Sequence, residues 1–461
     1  MKKNRLRRDI KKTIYESGAP KRNYRIPTSL RIVAGLLALI IMGTMLLLTP
    51  GATHGARLGL GDALFTATSA VTVTGLSTIT VATRLTLFGQ IILLLLIQIG
   101  GVGYMFAASL LMRLIGRKIY VLDRLALSSS IGLDSPEKIL VLLKRVFLGI
   151  LTIEGIGALF LYVHWSINGM VQDGSTLFYA VFHAISAFCN AGFDLFGDPT
   201  LYSGIPRDNL TLIILGLLIF LGGLGIPVLS EFVTKSRFHH MSLHTRLTLT
   251  VVFILLLLGW VFTFIAEVGA TGVLVGERFD VQVIQSLFHS ISSRTAGFAG
   301  FERFAELTSA TQILTITLMF IGCAPASMGG GMTTGTIAVL GTTLLNSVRG
   351  HQEVQVWGRT IASETIRRAT MVLTISVALV LLATFLLLLT NDLTLGEALF
   401  EVVSAFATCG LSLDVTGRLN GVGLSIIALM MIWGRLGALT IVIAFAQTTD
   451  TTRYVKYPEE Q

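Results

Sequence analysis

Four short segments of this sequence share a pattern of residue types that could hold a dehydrated cation. Each carries a Phe, a Ser four residues later, and then a Gly that is followed by Leu or Phe. Since similar segments that recur along a chain indicate repeated structural units, we interpret them as copies of one unit. The four are LFTATSAVTVTGL (Leu64–Leu76), VFHAISAFCNAGF (Val181–Phe193), LFHSISSRTAGF (Leu287–Phe298) and LFEVVSAFATCGL (Leu399–Leu411).

The tripeptide that ends in each of these glycines offers backbone carbonyl groups and no carboxylate. A ring of carbonyls can replace the hydration shell of an alkali cation. Glycine adopts positive φ at little cost, so it lets the chain turn its carbonyls toward a common axis. A short helix before each tripeptide would aim its negative C-terminal end at the ion. The expected ion-binding residues are Val73, Thr74, Gly75, Asn190, Ala191, Gly192, Thr295, Ala296, Gly297, Thr408, Cys409 and Gly410.

The composition places these segments in a membrane protein. Of the 461 residues, 53% are hydrophobic and 13% are charged, whereas soluble domains carry about 25% charged residues. Seven apolar runs approach or exceed the roughly 20 residues that a helix needs to cross a bilayer, and an eighth, Thr311–Leu345, is interrupted. The seven are Ile32–Leu48, Leu87–Met112, Val146–Val163, Leu210–Leu229, Leu247–Ile265, Thr370–Leu389 and Leu424–Ala446.

Each short segment lies between two apolar runs and is too short and too polar to span a bilayer. Non-helical backbone is tolerated at membrane depth only inside protein or beside water. We therefore predict an all-α integral membrane protein of four M1–P–M2 repeats, with eight transmembrane helices and four pore helices in pseudo-fourfold arrangement around one pore. The expected divisions are a basic arm (1–29), repeats at 30–115, 139–233, 245–346 (with a broken segment at 322–332) and 368–447, and a tail (448–461).

The basic residues are concentrated on one side of this topology. Most lie in the two terminal segments and in the loops between repeats, and the positive-inside rule places that side in the cytoplasm. We expect a multi-pass protein of the cell (inner) membrane with both termini cytoplasmic. The basic N-terminal arm is interpreted as facing lipid headgroups rather than nucleic acid. The opposite face carries an excess of acidic residues, which could concentrate cations at a pore mouth or serve only solvation.

The third and fourth repeats depart from the others in the apolar run that follows the glycine. Pro and three successive glycines should break the third run at mid-membrane, which predicts a gate, with a structural kink as the alternative. In the fourth run Arg435 stands where the first and second runs have a glycine. A charge at that depth must be paired or face water. It could bind carbonyls of the broken segment, pair with Glu154 or snorkel. The expected gating residues are Gly322, Cys323, Pro325, Ser327, Gly329, Gly330, Gly331 and Arg435.

Other residues that could do chemistry are isolated in the sequence. The three cysteines are scattered, so neither a disulfide framework nor a metal cluster is expected. His183 and His289 are interpreted as packing or capping groups of the pore helices, and Arg294 as a support behind the tripeptides. An intramembrane enzyme would need facing catalytic groups at usable spacing, so we expect no enzyme activity and no cofactor in this chain.

Together these motifs resemble the membrane subunit of the Ktr/Trk/HKT superfamily of K⁺ transporters, and most closely the KtrB type. The resemblance covers essentially the whole chain, and its specificity comes from the fourfold set. Its motifs are TVTGL (Thr72–Leu76), NAGF (Asn190–Phe193), RTAGF (Arg294–Phe298), CGL (Cys409–Leu411), GGG (Gly329–Gly331), GRLG (Gly434–Gly437) and YPEE (Tyr457–Glu460).

The resemblance implies channel-like K⁺ uptake by a homodimer, with Na⁺ as a candidate activator. It also implies a cytosolic ring of RCK-type regulatory subunits that bind ATP, ADP or NAD and control the gate. In this family the broken third-repeat segment is the gating loop, and the arginine that matches Arg435 lies close to it. Many relatives continue the triple glycine with Ile-Lys where this chain has Met332-Thr333, so the gate here could open differently. A Na⁺ or non-selective cation permease on the same scaffold remains the alternative.

Overall fold

The computed structural model describes residues 28–103, 139–171, 175–197, 204–234, 238–351 and 353–437. Apart from a hairpin of two-residue strands, β1 (Gln355–Val356) and β2 (Arg359–Thr360), and an isolated bridge between Thr53 and Leu85, the regular secondary structure of this part of the chain is helical. Its α-helices are α1 (Thr28–Leu47), α2 (Leu60–Thr72), α3 (Val81–Arg84), α4 (Leu87–Val102), α5 (Ile139–Ile167), α6 (Thr176–Phe188), α7 (Asn209–Gly223), α8 (Ile226–Thr234), α9 (Leu243–Val268), α10 (Phe279–Ser292), α11 (Ser309–Phe320), α12 (Thr334–Val348), α13 (Ser363–Thr390), α14 (Leu395–Ala407) and α15 (Gly421–Leu436).

Three helices in the described ranges are long and apolar enough to cross a membrane: Arg145–Ile167 within α5, α9 and α13. The bent pair α7–α8 would make a fourth if it is one span. Shorter apolar helices, including α4, α11, α12 and α15, occupy the other predicted runs. The predicted runs Leu87–Met112 and Leu424–Ala446 continue beyond the residues that the structure describes. The prediction of eight crossings therefore stays a prediction.

The predicted apolar run Leu210–Leu229 is bent near its end. α7 ends at Gly223, and α8 leaves it at an angle of 104° after a break of two residues. Gly225 in the break has φ +84°, and a Cβ on it would lie 2.6 Å from the carbonyl oxygen of Pro325. The amide of Ile226 donates to the carbonyl of Ala326 at 3.1 Å. The glycines of this run therefore permit a bend that contacts the third repeat.

The predicted interruption of the Thr311–Leu345 run is confirmed. α11 ends at Phe320 and α12 begins at Thr334, so the residues between them, including the whole of Gly322–Met332, are non-helical. We call Gly322–Met332 the broken segment. Ala326 and Gly331 within it have φ of +57° and +75°. Such values end helical hydrogen bonding, and for a residue with a Cβ they are uncommon.

The four short helices α2, α6, α10 and α14 lie in the interior of the protein. The Phe that recurs in each of them, at positions 65, 182, 288 and 400, is at most 2% exposed. A glycine of the following apolar helix lies against the end of three of them. A Cβ on Gly100, Gly222 or Gly434 would lie 2.2, 1.8 or 1.8 Å from the carbonyl oxygen of Val71, Phe188 or Phe406, respectively. These glycines therefore permit close approach to the short helix.

Candidate ion-binding site

The four glycines that end the tripeptides lie side by side in a closed ring. A Cβ on Gly75 would lie 2.4 Å from the carbonyl oxygen of Ala191, and one on Gly192 would lie 2.8 Å from that of Ala296. Likewise, a Cβ on Gly297 would lie 2.4 Å from the carbonyl oxygen of Cys409, and one on Gly410 would lie 1.9 Å from that of Thr74. Each glycine thus contacts the carbonyl before the glycine of the next repeat. The order around the ring is first, second, third, fourth, so the second and fourth repeats are opposite.

The backbone of each tripeptide alternates in handedness. The glycines have φ of +95°, +68°, +76° and +94° in chain order. The residue two positions earlier also has positive φ: Val73 and Asn190 at +58°, Thr295 at +80° and Thr408 at +50°. Positive φ is a genuine outlier for a β-branched residue such as valine or threonine. Strain of this kind persists where the surrounding structure over-determines it, often at functional sites.

The Ser that recurs in each short helix holds the tripeptide in place. The hydroxyls of Ser69 and Ser404 accept the amide hydrogens of Gly75 and Gly410 at 3.0 and 3.1 Å. In the other two repeats the serine hydroxyl donates instead to the carbonyl that follows the glycine: Ser186 to Phe193 at 2.8 Å and Ser292 to Phe298 at 2.6 Å. The serine repeat in the sequence therefore marks a side chain that ties the helix to its tripeptide or to the residue directly after it.

The third repeat is one residue shorter between this serine and its glycine. In the first, second and fourth repeats the residue before the glycine donates its amide hydrogen to the carbonyl of the serine five positions earlier, at 2.7–2.8 Å. In the third repeat Ala296 bonds to Ser292, only four positions earlier, at 2.9 Å. The third tripeptide therefore leaves its helix by a tighter turn, which the spacing in the sequence encodes.

A cavity of about 440 Å³ opens on one side of the ring. Its lining includes Gly75, Gly192 and Gly297. Four carboxylates also line it, namely Asp194, Glu302, Glu306 and Asp414. We call it the outer cavity. Carboxylates that line a cleft raise the local concentration of cations, so this placement favours the functional interpretation of the acidic face.

The broken segment lies on another side of the tripeptides. The amide of Gly330 donates to the Thr408 hydroxyl at 2.9 Å. A Cβ on Gly329 would lie 2.1 Å from the Thr295 hydroxyl. Cys323 donates through its thiol to the carbonyl of Arg294 at 2.9 Å. The first residues of the third and fourth tripeptides are thus in direct contact with the predicted gating residues, and the triple glycine allows that approach.

The second repeat also holds the broken segment. Ala324 and Met328 donate their amide hydrogens to the carbonyls of Gly223 and Gly222, at 3.1 and 3.3 Å. These carbonyls lie at the end of α7, next to the bend at Gly225. Our prediction placed gating residues only in the third and fourth repeats. The sequence feature that marks the contribution of the second repeat is the small-residue cluster FLGGLG (Phe220–Gly225).

Arg435 connects the broken segment to the first repeat. Its guanidinium donates to the carbonyl oxygens of Met328 and Gly100, and to that of Gly101 at 3.0 Å. The predicted bond to the broken segment is present. The alternative partner, Glu154, is 3% exposed and instead accepts a hydrogen bond from Gln98 at 3.1 Å. Among the described residues, no ion pair joins Arg435 to Glu154.

The remaining singled-out side chains are buried beside the tripeptides. His183 accepts a hydrogen bond from the amide of Leu195 at 3.2 Å, and His289 lies 2.9 Å from the Thr315 hydroxyl. Arg294 is 6% exposed, and its guanidinium reaches the carbonyl of Val252 at 3.5 Å. The described residues contain no group of three or more His, Cys, Asp or Glu that could hold a metal ion.

Outside the apolar spans, hydrogen bonds strongly lower the pKa of the Glu397 carboxylate. The side chain of Glu397, in the first turn of α14, accepts hydrogen bonds from Arg418 and from the Thr394 backbone and hydroxyl. Thr394 and Glu397 form a capping box at the start of the helix. The hydrogen bond from Arg418, reinforced by those from Thr394, lowers the pKa of Glu397 to about 2. It is therefore ionised at neutral pH and stabilises the helix end.

Comparisons with known proteins agree with the resemblance seen in the motifs. The family model TrkH, described as "Cation transport protein", matches residues 26–457. The chain is 36% identical over 431 residues to "Ktr system potassium uptake protein B" of Bacillus subtilis (strain 168), covering 93% of this chain and 94% of that one. It is 34% identical over 423 residues to the protein of the same name from Vibrio alginolyticus, covering 91% of each. It is 32% identical over 436 residues to "Potassium/sodium uptake protein NtpJ" of Enterococcus hirae, covering 93% and 95%.

The fold is similar to a solved structure of the same family. The crystal structure of the potassium transporter TrkH from Vibrio parahaemolyticus matches with a TM-score of 0.73, covering 93% of this chain and 86% of that one. At 18% sequence identity this likeness concerns the fold. With the family model matched over nearly the full length and relatives above 30% identity, the chain is a multi-pass membrane protein that belongs to the TrkH family of cation transport proteins, in the Ktr/Trk superfamily and of the KtrB type.

Proposed function

We propose that this protein takes up K⁺ through a selective pore built from its own four repeats. In this proposal each repeat contributes an M1–P–M2 unit, eight helices cross the cell membrane, and both termini are cytoplasmic. The four tripeptides form the ion-binding filter, and the outer cavity is the extracellular mouth. The names of the relatives, which are potassium uptake proteins, support the choice of ion.

The closed ring of glycines is the observation that carries this proposal. Four backbone segments meet there, each with a carbonyl against the glycine of its neighbour. Their alternating φ values allow successive carbonyls to turn toward one axis. Carbonyls on a common axis replace the water around a dehydrated alkali cation. Each short helix ends just before its tripeptide, so the negative ends of the four helices add favourable electrostatic energy for a cation bound there.

The broken segment acts as the gate in this proposal, and Arg435 holds it closed. The segment contacts the third and fourth tripeptides and is tethered to α7 and to Gly100 through Arg435. Backbone without helical bonding has few internal hydrogen bonds to break when it moves. Its position against the tripeptides would obstruct an ion that leaves the ring.

Regulation is assigned to other chains. We propose a homodimer of this subunit on a cytosolic ring of RCK-type subunits that bind ATP, ADP or NAD, with Na⁺ as a candidate activator. The family resemblance supports this assignment. Co-purification of the membrane protein with its regulatory ring, followed by flux measurements with each nucleotide, tests it.

The experiment for the function itself is ion flux in proteoliposomes that contain the purified protein. K⁺ or Rb⁺ influx should exceed Na⁺ influx clearly under the same driving force, and empty liposomes are the control. Equal K⁺ and Na⁺ permeation would refute K⁺ selectivity. It would favour the alternative, a Na⁺ or non-selective cation permease. The name of the Enterococcus relative, a potassium/sodium uptake protein, is the reason for testing this alternative.

A further inference from the structure

One position in the short helices is polar and buried in all four repeats. It follows the recurring Phe and precedes the recurring Ser by three residues, so it faces the same side of the helix as the serine. Its occupants are Thr66, His183, His289 and Glu401, each at most 1% exposed. Only the fourth repeat places a carboxylate there. A buried carboxylate is costly unless hydrogen bonds satisfy it, so Glu401 requires an explanation beyond packing.

The two oxygens of Glu401 hold the chain that follows the fourth tripeptide. One accepts a hydrogen bond from the Ser412 hydroxyl at 2.7 Å and the other accepts from the Thr416 hydroxyl. The Ser412 hydroxyl in turn accepts the amide hydrogen of Val415 at 3.1 Å. Between these anchors Asp414 adopts φ +61°. Glu401 therefore fixes a strained turn that begins two residues after Gly410.

This turn forms part of the wall of the outer cavity. Ser412, Asp414 and Thr416 all line it, beside the glycine ring. The second repeat, on the opposite side of the ring, has a similar arrangement. There His183 accepts the amide hydrogen of Leu195, and the neighbouring Asp194 lines the cavity. Two carboxylates thus face the mouth from opposite repeats, each on a chain segment that is held by a buried polar group of a short helix.

We propose that Glu401 is a positioning residue for cation selection at the outer mouth. By holding Ser412 and Thr416 it places Asp414 and the Gly410 backbone for the incoming ion, although it does not itself line the cavity. The proposal rests on the proposed K⁺ uptake and adds a determinant of affinity and selectivity outside the tripeptides. Because preorganised dipoles act only when held in position, loosening the turn should weaken K⁺ capture more than maximal flux.

The test is K⁺ and Na⁺ flux in proteoliposomes for wild type, Glu401→Gln and Ser412→Ala. Gln preserves shape but places an NH₂ group against hydroxyls, so we expect the KM for K⁺ to rise and the K⁺/Na⁺ permeability ratio to fall about five- to tenfold, the effect of losing one strong preorganised hydrogen bond. Maximal flux should change less. Ser412→Ala should give a shift in the same direction, and the double variant should show no further loss, since both act through one contact.

Glu277→Gln is the matched control, because it makes the same substitution at an exposed residue that does not line the outer cavity. It should leave the KM and the ratio unchanged. Normal KM and ratio in folded Glu401→Gln would overturn the proposal. If that variant does not fold, Ser412→Ala decides, because it keeps the carboxylate and its bond from Thr416; an unchanged ratio there also overturns it. A non-selective wild type would instead refute the proposed function, so the two failures are distinguishable.

Discussion

Replacing Arg435 tests whether the broken segment is a tethered gate. Its guanidinium is bonded to the carbonyl of Met328 in the broken segment and to two carbonyls of α4. Movement of the segment away from the pore must break the Met328 bond, whereas the bonds to Gly100 and Gly101 can persist. Arg435→Met removes the donors and keeps much of the side-chain volume.

The expected size follows from that single bond. A hydrogen bond from a charged donor contributes about 1.5–3 kcal/mol, and about 1.4 kcal/mol corresponds to a tenfold change in an equilibrium. Arg435→Met should therefore raise the open fraction, and with it the unstimulated K⁺ flux, about 10- to 100-fold. Thermal stability in detergent should fall slightly, because two α4 carbonyls lose their donor.

Proteoliposome influx of Rb⁺ without regulatory subunits is the assay. Loss of a positive charge near the pore could also raise flux, and Arg435→Lys separates the two causes. Lysine keeps the charge but cannot bridge Met328 and Gly100 as a planar guanidinium does. Flux in the lysine variant should still rise if the tether matters. Arg367→Met, at an exposed arginine paired with Glu364, is the control. Wild-type flux in a folded Arg435→Met protein would refute the tether.

Three further predictions concern the ring, the triple glycine and the partly buried acid Glu397. Gly75→Ser puts a Cβ 2.4 Å from the Ala191 carbonyl oxygen at φ +95°, so the K⁺/Na⁺ permeability ratio should fall at least about tenfold. An unchanged ratio would count against the assignment of the tripeptides as the filter. Deleting Gly329–Gly331 removes the contacts with Thr295 and Thr408, so flux and its nucleotide dependence should change; unaltered values would make the segment a simple kink. Arg418 lowers the pKa of Glu397 to about 2. At pH values above the unfolded-state pKa of about 4.3, Glu397 therefore stabilises the fold by at most about 1 kcal/mol. This stabilisation should be lost as pH falls toward 2, so the difference in melting temperature between wild type and Glu397→Gln should shrink over that range and should not grow.

The sequence predicted the elements that depend on local residue types. The recurring order of Phe, Ser and Gly located the short helices and tripeptides, because each residue has one local role: packing, holding the turn or adopting positive φ. Pro325 and Gly329–Gly331 predicted the interruption of the third run, and helix propensity alone suffices there. These features are determined by residues that are contiguous in the sequence.

Features that arise from contacts between repeats could not be read in the same way. The bend at Gly225 depends on the Pro325 and Ala326 carbonyls, which are about a hundred residues away in the chain and come near only through tertiary packing. Positive φ at Val73 and Thr408 contradicts the local preference of β-branched residues. The role of Glu401 could be inferred only from the structure, which places the Ser412 and Thr416 hydroxyls against its carboxylate. Tertiary structure, rather than propensity, determines these features.

The contacts between ring and broken segment have a thermodynamic consequence if the first binds K⁺ and the second gates. Thr295 and Thr408 belong to the tripeptides, and they also meet Gly329 and Gly330. A cation that orders the tripeptides therefore alters the surface on which the segment rests. Coupling of this kind is reciprocal, because a segment position that favours ion binding is itself favoured by the bound ion. The one-residue shortening of the third repeat, which sets the turn at Thr295, places this coupling in the same repeat as the gate. Ion occupancy and gate position would then be two measures of one equilibrium.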